Sequence, residues 1–106
     1  MGGTLVRIKQ AVNAGRFRFT DKASLELDAD GLTQQDALES IVNAVAIYKT
    51  IRSRSLLRAA RREYLHVIHS YNRRGLPIYT KGKLVSERGA EYFYILLSSK
   101  ISVKGD

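Results

Sequence analysis

The chain contains no cysteine, no tryptophan, one proline and one methionine. Without cysteine there is no disulfide framework and no thiolate metal site. Two histidines alone cannot close a structural zinc site. No apolar run approaches the roughly 18 residues a membrane span needs. The opening MGGTLVRIKQ lacks the apolar stretch of a signal peptide. A glycine follows Met1, but Val6 stands where a myristoylation signal needs Ser or Thr. These absences lead us to expect a cytoplasmic protein with no cofactor and no bound metal. A single domain is expected over residues 1–106, with residues 1–3 a remnant or a disordered start.

What is present is a strong excess of positive charge. The 106 residues carry 18 Lys and Arg against 10 Asp and Glu, a net charge of +8, with pI ≈ 10.1. Length predicts a single domain, and 44% hydrophobic content predicts a packed core. A small basic domain points toward a polyanion, either nucleic acid or an acidic protein. The charge is also segregated. Asp21 to Glu39 holds six acidic residues against Lys22, and Lys49 to Lys83 holds ten basic residues against Glu63. The second half therefore carries the basic surface.

Hydrophobic spacing predicts helices first and strands later. Thr4–Ala14 reads as a helix capped by Thr4 and stopped by Gly15. Arg16–Thr20 alternates basic and aromatic residues, as a short strand or extended link. Thr20 or Asp21 caps a second helix to about Ala29, with Ala23, Leu25 and Leu27 apolar, and Gly31 breaks it. Thr33 with Asp36 forms a capping-box pattern before a third helix, Gln34–Asn43, that buries Ala37, Leu38, Ile41 and Val42.

The period then changes to two. Strands are predicted over Ala46–Arg52, Tyr64–Tyr71, Leu76–Val85 and Glu91–Val103, with turns at Asn72–Gly75 and Ser86–Gly89. Ser53–Arg62 reads as a basic loop or short helix. The fold class is α+β: N-terminal helices packed on one face of an antiparallel meander.

Alternation predicts one sheet face bearing Tyr79, Lys81, Lys83, Tyr92, Tyr94 and Lys100, with the Phe93 side against the helices. On Tyr64–Tyr71 the two histidines point opposite ways. His69 shares its side with Leu65, Val67 and Tyr71, so we expect His69 in the core and His66 exposed, unless a bulge reverses the order. RNA can be cut without metal when a base takes the ribose 2′-hydroxyl proton, cations stabilise the phosphoryl charge, and an acid protonates the leaving 5′-oxygen. His66, Tyr79, Lys49 and Lys100 supply those groups. No carboxylate pair sits among the basic strands, and Lys81-Gly82-Lys83 is too short for a phosphate loop. Each feature also has a plainer reading: a satisfied structural histidine, a solvated strand edge at Lys81 and Lys83, tyrosines that only pack.

The stretch IKQAVNAGRFRFTDKASLELDADGL with AIYKT, then YLHVIHS, GLPIYTKGKLV and YFYILLSSK, resembles the motility quorum-sensing regulator (MqsR) toxin family over roughly Leu5 to Ser102. The VNAG turn and the Tyr48–Lys49 pair are its most specific parts. The resemblance implies a RelE-like α+β fold and an mRNA interferase, the toxin of a type II toxin–antitoxin pair. It implies a site of lysine, glutamine, tyrosine and lysine, which falls on Lys49, His66, Tyr79 and Lys100, with histidine replacing glutamine. It also implies a cognate antitoxin with a zinc-binding domain and a helix-turn-helix region.

The expected RNA contacts are Arg52, Arg54, Arg58, Arg61, Arg62, Arg73, Arg74, Lys81, Lys83, Tyr92 and Tyr94. This chain is longer in the Arg52–Arg62 region and around Ser86–Gly89, which bears on RNA preference and on dependence on the ribosome. The rival readings are a non-catalytic nucleic-acid-binding module and a protein that only binds its antitoxin.

Overall fold

A computed structural model describes residues 3–52, 63–87 and 91–102. The elements, in chain order, are α1 (Thr4–Asn13), β1 (Phe17–Phe19), α2 (Asp21–Ala29), α3 (Gln34–Asn43), β2 (Lys49–Arg52), β3 (Tyr64–Tyr71), β4 (Pro77–Glu87) and β5 (Glu91–Ile101). The α+β class holds. The expected basic segment 53–62, with Arg54, Arg58, Arg61 and Arg62, lies outside the described residues, as do residues 88–89 of the expected 86–89 turn, whose first two residues are the end of β4.

Local chemistry sets the helix starts. Thr20 caps α2, its hydroxyl accepting from the Ala23 N–H at 3.2 Å. Thr33 and Asp36 form a full capping box on α3. At α1 the cap is Gly3 and Thr4 is already helical, so the expected Thr4 cap is not made. The 3.6-residue period puts Ala23 and Leu27 of α2 in the core and leaves Leu25 exposed, and α3 buries Ala37 and Ile41 but leaves Val42 exposed. Gly15 and Gly31 hold φ of +80° and +70° just past α1 and α2, a conformation that favours glycine.

β2, β3, β4 and β5 form the expected antiparallel meander. β1 extends it by pairing parallel to β5, so the sheet order is β1-β5-β4-β3-β2. β1 covers β5 only along Tyr94–Leu96. Beyond it, α2 closes the edge with carboxylates. Glu26 accepts from the Ser99 N–H at 3.0 Å and from the Ser98 hydroxyl at 2.6 Å, and Asp30 accepts from the Ile101 N–H at 2.8 Å. Part of the acidic run at 21–39 is therefore spent on internal hydrogen bonds.

The helices cover one sheet face. Ile8, Ala11, Val12 and Ile41 pack on Ile68, Tyr94 and Leu96, with Phe17 and Phe19 at the margin. Leu27, Leu32 and Ala37 pack on Ile78. The β3–β4 turn is pinned to α3. The Asn72 side-chain amide donates to Asp36 at 2.9 Å, and its Oδ1 accepts the Arg74 and Leu76 N–H groups, each at 2.9 Å.

One irregularity decides which side chains face outward. Lys81 is opposite Ser98, but Gly82 is opposite Leu96, so β5 carries an extra residue at Leu97. A bulge reverses alternation beyond it. Lys100 and Ser98 keep the parity of Tyr79 and Lys81, whereas Leu96, Tyr94 and Tyr92 turn toward the helices. The expectation that Tyr92 and Tyr94 share the open face with Lys100 is corrected. Tyr94 is fully buried, and the Arg7 guanidinium lies 5.3 Å above the centre of the half-buried Tyr92 ring.

Candidate functional site on the open sheet face

The two histidines also exchange places. Ile68 of β3 packs under the helices, and His66 and Ser70 share its parity. His66 is 8% exposed, and its Nδ1 sits 3.1 Å from the Thr50 hydroxyl on the neighbouring strand. Burial pushes its pKa below the usual histidine value, which keeps the ring neutral. The expectation of an exposed His66 at the site is therefore corrected. Leu65, Val67 and Tyr71 look like a core set, but helix packing on Ile68 puts them, with His69, on the other face.

On that open face the strands bring together what the sequence scatters. His69 is the direct partner of Tyr79, and Tyr79 is the direct partner of Lys100. A second row, one pleat along, runs Lys49, Val67, Lys81, Ser98. With strands roughly 4.8 Å apart, the first row spans about 10 Å between its outer Cα atoms, and lysine side chains close that span. Tyr48, Lys49, Val67, His69, Tyr79 and Lys100 line a groove of about 280 Å³.

Within the groove the His69 ring meets Tyr48 edge to face at 4.6 Å and Tyr79 at 5.3 Å between centroids. Its Nδ1 is 3.0 Å from the Ser102 hydroxyl. The Lys100 ammonium lies 5.3 Å from the centre of the Tyr79 ring, in cation–π range. Burial raises the Tyr79 pKa, Lys22 opposes this and Glu26 adds to it. The phenol is thus a proton carrier and hydrogen-bond donor at neutral pH.

The remaining expected RNA contacts divide. Lys81 belongs to the open face by register. Lys83 pairs with Glu63 at 3.6 Å. Arg52, at the end of β2, is exposed and has the parity of Thr50, on the helix side. Arg74 pairs with Asp36 at 3.3 Å, and the Arg73 N–H donates to Glu39 at 3.0 Å, which ties both to α3. Among the described residues no three His, Asp or Glu side chains gather as a metal site. No helix of the described residues is long and apolar enough to cross a membrane.

Sequence reasoning missed His69, Ser102 and the Lys22–Glu26 pair beside Tyr79. Tyr48 entered only as part of a resemblance. The β3 sequence offers no clear signal for His69, since both alternating sets are partly apolar. Comparison with protein-family models, with curated proteins and with solved structures finds no match.

Proposed function

We propose that the open face is the active site of a metal-independent endoribonuclease, acting on mRNA as the toxin of a type II toxin–antitoxin pair. The observation that carries the reading is the row of imidazole, phenol and ammonium formed by His69, Tyr79 and Lys100. His69 exchanges the proton of the 2′-hydroxyl or of the leaving 5′-oxygen. Lys49, Lys81 and Lys100 offset the charge that builds on the phosphoryl oxygens. Tyr79, held in its protonated form, donates a hydrogen bond to the same group. His66 takes no part.

The net charge of +8 supports both an RNA substrate and an acidic antitoxin surface. On this reading the protein works in the cytoplasm, on free or ribosome-bound mRNA, and no cofactor enters the reaction.

The test is incubation of single-stranded RNA with the protein in EDTA. Products with 2′,3′-cyclic phosphate ends are expected, and His69→Ala slows their formation at least about a hundredfold. Tight, salt-sensitive RNA binding without product would replace the reading with a non-catalytic module. No RNA binding at low salt, together with a stable complex with the product of the neighbouring gene, would leave an antitoxin-binding protein. Growth arrest on expression, relieved by that neighbour, tests the toxin assignment separately.

A further inference from the structure

The strongest unassigned contact on the open face is the one between His69 Nδ1 and the Ser102 hydroxyl, at 3.0 Å. Ser102 does not reach the ring from a loose tail. Its N–H donates to the Pro77 carbonyl at 3.0 Å, which fixes the residue beside the start of β4. Ser102 lies two residues beyond Lys100, so it falls on the same face as the row it borders. Tyr48 and Tyr79 meet the His69 ring edge to face, and the serine holds one of its nitrogens. Among the described residues no partner engages Nε2.

A neutral imidazole carries one proton, and the bond at one nitrogen determines the work of the other. A hydroxyl oxygen that accepts from Nδ1–H leaves the Nε2 lone pair as the base. After Nε2 takes a proton, Nδ1 keeps its own, and the hydroxyl accepts it unchanged. Being uncharged, serine serves both protonation states without committing the ring to the cation, as a carboxylate would.

We infer that Ser102 is a positioning residue: it holds His69 as the Nδ1–H tautomer and presents Nε2 to the reacting ribose or leaving oxygen. The inference rests on the nuclease reading of the same groove, and the experiment separates the two.

The tautomer is read directly from long-range proton–nitrogen correlations of the His69 ring in the ¹⁵N-labelled full chain, with no RNA present. The wild type is expected to show Nδ1–H. Ser102→Ala is expected to lose that preference, and Ser102→Thr, which keeps the hydroxyl, to restore it. In cleavage assays Ser102→Ala should lower kcat about tenfold with KM little changed, move the limb of the pH profile that reports His69, and be rescued by Ser102→Thr. An Nδ1–H ring that persists in Ser102→Ala, or an Nε2–H ring in the wild type, overturns the role of Ser102 whatever the protein does to RNA. A wild type that never cleaves RNA overturns the nuclease reading and the catalytic part of this inference with it. An unchanged kcat in Ser102→Ala, with the wild type active, overturns the positioning role alone.

Discussion

His69 on β3 and Tyr79 on β4 are direct cross-strand partners whose rings meet at 73° with centroids 5.3 Å apart. That contact joins the imidazole of the groove to the phenol, and Lys100 continues the row. Tyr79→Phe keeps the ring, its packing on His69 and its place under Lys100, and removes only the hydroxyl. We expect RNA cleavage to slow at least about tenfold with an unchanged melting temperature. A wild-type rate would remove the phenol from the chemistry.

His66 provides the complementary control. Its ring is buried against the helix layer and bonded to Thr50. His66→Ala should destabilise the fold by about 2 kcal/mol or more, as expected for a large-to-small change in a core. Cleavage per folded molecule should stay at the wild-type level. Chemical denaturation paired with an activity titration reads both. Lost activity at full stability would return His66 to the site.

Gly82 is required by its neighbour rather than by its own backbone. A Cβ built there would lie 2.6 Å from Cζ of Tyr94 and 2.7 Å from the Ile95 carbonyl. The buried Tyr94 ring passes over the glycine, and no partner meets its hydroxyl among the described residues. Gly82→Ala should cost about 1–3 kcal/mol by overpacking. Adding Tyr94→Leu should recover part of that loss, because the two residues share one space. Full additivity in urea unfolding would show that the clash is relieved elsewhere.

The Asp36–Asn72 bond, at 2.9 Å, connects the start of α3 to the β3–β4 turn. Asn72→Ala removes a donor to a nearly buried carboxylate and leaves two turn N–H groups without their acceptor. A loss of about 2 kcal/mol is expected. A double-mutant cycle with Asp36→Ala should show coupling of roughly 0.5 kcal/mol or more. Zero coupling would mean that the bond adds nothing to the turn.

Stability should depend on pH from both sides. His66 is lowered by burial from its ordinary 6.5. Asp36 is lowered from 3.8 chiefly by the Thr33 N–H, against its own burial, with help from Asn72 and Arg74. Burial of Glu26 favours its neutral form, but the Ser98 hydroxyl, the Ser99 N–H and Lys22 outweigh it, so its pKa falls below 4.5. All three groups bind protons more readily when unfolded. Their stability is present above those ordinary values and is lost as pH falls, first through His66 below about 6.5 and then through the carboxylates. Tyr79 and Tyr94 are raised by burial above 10. Their contribution is present below that value and is lost as pH rises past it. Thermal melts should be flat between about pH 7 and 9 and fall on either side. For His66→Gln the first loss, below about pH 6.5, should disappear.

Much of the architecture was legible in the order of residues. Thr33 with Asp36, the apolar spacing of α1 and α3, and the alternating runs of β3, β4 and β5 each specify an element through local physics. The parallel pairing of β1 to β5 was not, because a three-residue FRF run carries no mark of its partner. Of the site, Lys49, Tyr79, Lys81 and Lys100 fall on the open face as expected. His66, Tyr92 and Tyr94 do not, since alternation along a strand is the only local signal for their side. Parity fixes which residues share a side and leaves open which side the helices cover.

A basic α+β domain, the caps of α2 and α3, the run of strands, and an acidic segment set apart from a basic one follow from the order of residues alone, because propensity, capping and charge act over a few neighbouring residues. Long-range packing set the rest. Packing of α1 and α3 on Ile68 turned His66 inward and His69 outward, and the extra residue at Leu97 put Lys100 and Tyr94 on opposite faces. Both outcomes depend on contacts between segments far apart in the chain, where a one-residue shift in a single strand reverses every side chain beyond it.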